Sequence, residues 1–324
     1  MTQPTDARLL IEISHMYYDE DMTQQQIANK MNMSRSLVSK LLNKAKKAGI
    51  VEVIVHSELT HPYKEVEDKL KQAFGLKYVK IVDSYQAQAK DAISMEASRY
   101  LGMRLSSCKY IAVAASRAVR DIAKYFTTSM TFPNVTFVPM SGGLGEVRSN
   151  VDTNNICLTF AQKSGARNML LHTPVIVDSP EAKDIILDQY FVKHVLDKAR
   201  KADIAVVGIG SAFQWFELEE AYLKGVKTDF IPNSDEVCGD IGYNYFDKNG
   251  ELLDCKWNEQ LMGLSLNEIK QIPEVLCVAS EIDKAESIFI AAKNDLITSL
   301  ITNIDVAKRV LLYYSKDLFH SVSK

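Results

Sequence analysis

Gln24-Gln25-Gln26-Ile27-Ala28-Asn29-Lys30-Met31-Asn32-Met33-Ser34-Arg35-Ser36-Leu37-Val38-Ser39-Lys40-Leu41-Leu42-Asn43 decides the reading of this chain. Ile27 and Met31 lie four apart, on one face of a first short helix. Ala28 is the small residue that lets a second helix cross closely. Asn32 stands where the first helix must end in a left-handed residue, a conformation Asn tolerates better than most. Met33 fills the space between the helices. Ser34 caps the second helix, whose apolar face reads as Leu37, Val38, Leu41 and Leu42. Two helices joined this way form a helix-turn-helix, with the second helix in the DNA major groove.

Charge supports this reading. Between Met22 and Val51 lie Lys30, Arg35, Lys40, Lys44, Lys46 and Lys47, and no acidic residue. Phosphate contact requires a basic face backed by an apolar one. The expected DNA contacts are Thr23, Gln24, Ser34, Arg35, Ser36, Ser39, Lys40, Asn43 and Lys44. Of these, Arg35, Ser36, Ser39 and Lys40 open the recognition helix and lie nearest the base edges.

Outward from the motif, Asp6 to Tyr18 reads as a supporting helix with Leu9, Leu10, Ile13, Met16 and Tyr17 inward. Gly49 reads as the C-cap of the recognition helix, and Val51 to Val55 as a short strand. Thr60-His61-Pro62 is a plausible boundary, followed by a helix from about Tyr63 to Phe74. At 324 residues the chain is long enough for two domains. We place a DNA-binding domain at 1–57 and a larger domain at 58–324. The overall charge of −3 is uneven. Residues 1–57 hold seven Lys/Arg and six Asp/Glu, so the DNA footprint is local.

From Lys77 the rhythm becomes strand, loop, helix, repeated. Expected strands are Tyr78–Val82, Tyr110–Ala114, Val135–Pro139, Asn168–Leu171, Ile204–Gly208, Val275–Ala279 and Leu300–Thr302. Expected helices include Ala87–Leu105, Asn154–Ser164, Tyr190–Lys201, Lys284–Ala292 and Asp305–Tyr313. Short apolar strands alternating with helices indicate a Rossmann-like α/β domain with a mostly parallel sheet, covered on both faces. Ligands of such sheets sit beyond the carboxyl ends of the strands. That rule selects the loops starting at Ala115, Met140, Ile209 and Ser280.

Several stretches could carry chemistry. Ser141-Gly142-Gly143-Leu144-Gly145-Glu146 follows a strand, and its glycines would let backbone amides approach an anion. They fit equally a tight turn that binds nothing. Gly208-Ile209-Gly210-Ser211 lacks the third glycine of a dinucleotide fingerprint. Lys284 can neutralise a phosphate, although a lone lysine is more often a solvated helix residue. The five cysteines are widely spaced with no CxxC pair, and the six histidines show no metal-ligand spacing. No nucleophile elbow or P-loop is present, and no run approaches 18 apolar residues. We therefore expect no catalytic residue, cofactor, metal or membrane partner, and a cytoplasmic location.

The chain resembles the SorC/DeoR-type regulators of bacterial carbohydrate genes. The resemblance runs from about Leu9 to Leu312. It is carried by Met22–Ala28, Ser34–Leu42, Ala48–Val51, Phe137–Pro139, Gly142–Glu146, Asn155–Cys157, Val207–Gly210, Tyr245–Asp247 and Leu300–Thr302. It implies an effector domain with the fold of phosphosugar isomerases and glucosamine-phosphate deaminases. It also implies a phosphorylated sugar as effector and a homo-oligomer, usually a tetramer. By the same resemblance Asp240 contacts sugar hydroxyls and Lys284 the phosphate. Two departures stand out. The threonine-bearing phosphate loop of the family is replaced by Ala114-Ala115-Ser116-Arg117-Ala118, and the glycines before Lys284 by Ser280 and Glu281. Arg117 can replace the lost hydroxyls by charge pairing, or can pair with Asp121 along a helix.

The expected function is a transcriptional regulator that binds double-stranded operator DNA under control of a small sugar phosphate or related anion. Ser116, Arg117, Ser141, Gly142, Gly143, Gly210, Asp240 and Lys284 are its expected effector residues. One rival is a regulator with no small-molecule effector. The other is a sugar-phosphate isomerase or deaminase fused to a DNA-binding module. Asp240 could serve such an enzyme as acid or base, but no partner for it is visible in the sequence.

Overall fold

The computed structural model describes residues 4–47, 50–51, 62–83, 89–143, 151–211, 232 and 235–322. The expected cap at Gly49, all but the first residue of the expected strand Val51–Val55, the boundary at 57/58 and the turn residues Leu144, Gly145 and Glu146 lie outside them. Contacts divide the chain into Met1–His61 and Pro62–Lys324.

The first unit holds α1 (Pro4–Tyr18), α2 (Gln24–Lys30) and α3 (Arg35–Lys47). Ile13, Met16, Ile27, Ala28, Val38 and Leu42 form its core, with Leu9, Tyr17, Met31 and Met33 packed at the edge. The spacing of these apolar residues draws three short helices together, where none would be stable alone. Thr23 begins α2 with a reciprocal capping box: its hydroxyl accepts from the Gln26 amide, and Gln26 Oε1 accepts from the Thr23 amide at 2.9 Å. Asn32 takes φ +56° between the helices, as the turn requires. Ser34 Oγ accepts from the Leu37 amide at 3.2 Å and caps α3.

The second unit opens with α4 (Lys64–Phe74), which Gly75 ends in the left-handed conformation. Its sheet has seven parallel strands in the order β1-β9-β8-β5-β2-β3-β4. They are β1 (Tyr78–Val82), β2 (Tyr110–Val113), β3 (Thr136–Pro139), β4 (Arg167–Asn168), β5 (Ile204–Val207), β8 (Glu274–Val278) and β9 (Ser299–Asn303). The expected strands all appear, shifted by a residue or two at their ends. The exception is the fourth, which pairs over two residues only.

Side chains alternate across the sheet. Ile111 and Val113 of β2 join one apolar layer, built with α5 (Ala89–Arg104), α6 (Arg117–Tyr125) and α7 (Thr153–Ser164). Ala112 and Ala114 join the other, with α9 (Tyr190–Arg200), α12 (Ala285–Lys293) and α13 (Ile304–Val322). Burial on both faces explains why these strands are apolar throughout.

Sequence reading passed over α8 (Pro180–Leu187), α10 (Lys256–Gln260), α11 (Leu266–Lys270) and the antiparallel hairpin of β6 (Gly239–Ile241) and β7 (Asn244–Phe246). The hairpin turn has positive φ at both Gly242 and Tyr243. A tight primed turn needs that geometry, but Asn-Gly is its usual signal. Trp257 Nε1 donates to the Tyr243 carbonyl at 2.8 Å, and Asn244 Nδ2 donates to the carbonyls of Ile241, Gly242 and Leu264. These bonds hold a turn that Tyr alone would disfavour.

Candidate functional site

The order in which the chain adds strands reverses between β2 and β5. From β2 the chain builds outward to β3 and β4; from β5 it builds the other way to β8 and β9. A parallel sheet opens a crevice at such a switch point, beyond its carboxyl ends. Here a cavity of about 330 Å³ lies there. The loops after β2, β5 and β8, the β6–β7 hairpin and α5 all contribute to its lining.

Of the expected effector residues, Ser116, Arg117, Gly210, Asp240 and Lys284 line this cavity. Ser116 Oγ caps α6 by accepting from the Val119 amide at 3.0 Å, and Arg117 is the first residue of α6. Asp121 accepts from Arg120, whose Nε lies 2.9 Å away. Gly210 donates its amide to the Asp240 carbonyl at 3.0 Å. A Cβ on Gly210 would overlap Asp240 Oδ1, so glycine is what lets this carboxylate stand against the end of β5. Burial pushes the Asp240 carboxyl up to about 6, against the Tyr243 amide it accepts from and the charge of Lys284.

Ser141, Gly142 and Gly143 do not line the cavity. The Gly142 amide donates to the Met262 carbonyl at 2.7 Å, and that of Gly143 to Thr173 at 2.9 Å. A Cβ on Gly142 would collide with the Pro174 carbonyl. Chain packing accounts for both the glycine and the use of these two amides.

Lys284 is 7% exposed. Its Nζ lies 3.0 Å from Glu281 Oε2, and Lys90 Nζ lies 3.0 Å from Glu281 Oε1. Burial alone would raise the Glu281 carboxyl; the two lysines outweigh it and hold the group far below the usual carboxylate range. The sequence places Glu281 near Lys284, three residues away, but gives no sign of Lys90, which comes from α5, far away in the chain. No local pattern links them. Among the described residues no cluster of His, Cys, Asp or Glu can hold a metal ion.

In the first unit, Arg35, Ser36, Lys40, Asn43 and Lys44 share the exposed surface of α3, with Ser39 half-buried among them. Thr23 and Ser34 sit at the N-caps of α2 and α3, and Gln24 begins α2. Leu37, expected on the apolar face of α3, is 42% exposed and lies with the polar residues instead. Val38 and Leu42 alone of that quartet are buried, because α3 needs only a narrow apolar stripe against α1 and α2.

Residues 60–312 match the family model described as "Putative sugar-binding domain", and residues 2–58 match the MarR family. The chain belongs to the SorC/DeoR-type family of sugar-binding transcriptional regulators. It is 27% identical to the sorbitol operon regulator of Klebsiella pneumoniae over 96% of this chain and 100% of that protein. It is 26% identical to the transcriptional regulator LsrR of Enterobacter sp. (strain 638), covering 95% and 94%. The crystal structure of full-length SorC from Klebsiella pneumoniae superposes with a TM-score of 0.78 at 26% identity, covering 96% and 100%. The relatives of this SorC/DeoR-type chain are transcriptional regulators, not enzymes. Among the described residues no helix is long and apolar enough to cross a membrane.

Proposed function

We propose that the chain is a sequence-specific DNA-binding regulator of carbohydrate-related genes, controlled by a small phosphorylated sugar or related anion bound in the switch-point crevice. Residues 1–57 contact operator DNA, and residues 58–324 bind the effector and assemble the oligomer, a tetramer as in the family resemblance. The reading rests above all on one observation. Arg117, Asp240 and Lys284, distant in sequence, line one cavity in a chain whose other unit exposes a basic recognition helix.

The roles follow from chemistry. Arg117 and the first turn of α6 answer the anionic group, since a helix start presents unpaired amides. Asp240 accepts from sugar hydroxyls. On α3, Arg35 and Lys40 reach base edges, Ser36 and Ser39 flank them, and exposed Leu37 suits a thymine methyl. Lys44 and Lys46 hold phosphates. Ligand binding changes the arrangement of subunits and hence the spacing of recognition helices.

One observation favours a second reading, a regulator without a small-molecule effector: Glu281 already answers both Lys90 and Lys284. A thermal-shift screen of sugars, sugar acids and sugar phosphates separates the two. A ligand at 100 times its Kd adds about 2.7 kcal/mol of stability. We expect at least one to do so, and Arg117→Ala to remove that shift while operator affinity stays unchanged. If no compound shifts the melting temperature, the effector-free reading stands.

A further inference from the structure

Four cations line the cavity: Lys90, Arg117, Arg120 and Lys284. Three carboxylates join them, Asp121, Asp240 and Glu281. These charges are sorted by wall. One wall comes from α5 and the loop after β8. There Glu281 takes Lys284 through one oxygen and Lys90 through the other, each at 3.0 Å. A single carboxylate between two lysines leaves one positive charge over. Each ammonium has three N–H donors, so pairing with Glu281 leaves donors for a ligand. The other wall is the start of α6. Arg117 and Arg120 lie three apart there, on one helical face. Asp121 Oδ1 accepts from Arg120, whose Nη2 lies 2.7 Å away. Two arginines against one carboxylate again leave a positive charge, and the helix start adds to it.

The two walls stand apart. β8 and β2 both pair with β5, on opposite sides of it. Neighbouring strands lie about 4.8 Å apart, so the loops after β2 and β8 leave the sheet about 10 Å from each other. Between them β5 runs out into Gly208-Ile209-Gly210. Asp240 stands against Gly210, where a Cβ would overlap its carboxylate. The cavity thus reads, from one side to the other, as positive charge, hydroxyl acceptor, positive charge. A five- or six-carbon sugar with an anionic group at each end spans about the same distance.

We propose that the crevice takes a doubly anionic sugar, a sugar bisphosphate or a phosphorylated sugar acid. Arg117 and Arg120 bind one anionic group. Lys90 and Lys284 bind the other, with Glu281 holding both lysines in place. Asp240 accepts from the hydroxyls between them. This rests on the effector reading above and narrows it from a phosphorylated sugar to one with a second anionic group. Lys90 is a specificity-determining residue: its charge answers the group that a monophosphate lacks.

The test is isothermal titration of the full-length chain at pH 7.5 with three series. The first is glucose, its 6-phosphate, its 1,6-bisphosphate and 6-phosphogluconate. The others are fructose and ribulose, each as the free sugar, the monophosphate and the bisphosphate. Within any series that binds, a doubly anionic member should bind more tightly than the monophosphate. In the glucose series the tighter of the bisphosphate and the phosphorylated acid identifies the second group. Lys90→Gln should weaken the doubly anionic member by about tenfold and leave the monophosphate within about twofold. Lys90 is largely exposed, so this variant should fold as the wild type does. Lys90→Arg keeps the charge and should keep the preference, whereas Arg117→Ala should weaken both members. A Lys90 that only tied α5 to the loop would weaken both members alike on substitution by Gln. The proposal is overturned if the monophosphate or the free sugar binds as tightly as the doubly anionic member, or if Lys90→Gln leaves the preference unchanged. The effector reading survives both results. If nothing in any series binds, the effector reading falls and this proposal with it.

Discussion

Asp240 shows how much one residue depends on a fold that its neighbours in sequence do not reveal. Its carboxyl is pushed up to about 6 from an ordinary 3.8, chiefly by burial. Between those two values the folded chain binds more protons at this site than the unfolded chain does. Stability must therefore fall as pH rises through that window, and remain lowered above it. Asp240→Asn keeps an oxygen to accept from the Tyr243 amide and removes the buried charge. We expect it to be more stable than the wild type by about 1–3 kcal/mol at pH 7.5, with the gap closing near pH 4. Urea unfolding at the two values measures this; a variant less stable at pH 7.5 would show that the charge is welcome there. Asp240 was found in the sequence through family resemblance. The reasons for its properties, the close approach at Gly210 and the turn at Tyr243, come from contacts distant in sequence.

Elements were legible where their signals are local. The caps at Thr23 and Ser34, the left-handed Asn32 and the apolar spacing of α1 to α3 are all written within a few residues of where they act. Leu37 was misplaced because Leu37, Val38, Leu41 and Leu42 cannot all face one narrow stripe, and spacing alone did not say which would be left outside. The β6–β7 hairpin was missed because Gly242-Tyr243 is an uncommon spelling of its turn. Gly142-Gly143 reads the same whether amides meet a ligand or carbonyls of the chain. Asn32 offers a test at this scale. At φ +56° a β-branched side chain is strained, whereas glycine is not. Asn32→Val should cost about 1–2 kcal/mol and weaken operator binding as the turn loosens. Asn32→Gly should stay within about 0.5 kcal/mol of the wild type. Chemical denaturation of both variants reads the difference; equal stability would remove the turn from its role.

At the scale of the molecule, alternating strands and helices made the parallel sheet legible, and the sheet's point of reversal located the crevice. The ion triad inside it was only partly legible: Glu281 and Lys284 lie three apart in sequence, but Lys90 joins them only when β8 and α5 are folded side by side. In the function proposed above, α3 reads DNA for the whole assembly. A single helix-turn-helix covers too little of a duplex to select a site in a genome, and paired modules bind half-sites in register. The most direct measurement takes the full-length chain and a duplex selected from its own upstream region. Fluorescence anisotropy gives the affinity, and sedimentation of the same complex gives its mass. We expect a complex containing more than one 36.4 kDa chain. Arg35→Ala and Lys40→Ala should each lose about 1–3 kcal/mol on the selected sequence and little on random DNA. Lys46→Ala should weaken both duplexes alike and flatten the salt dependence. Unchanged affinity for the selected duplex in folded Arg35→Ala and Lys40→Ala variants would show that α3 does not read the operator.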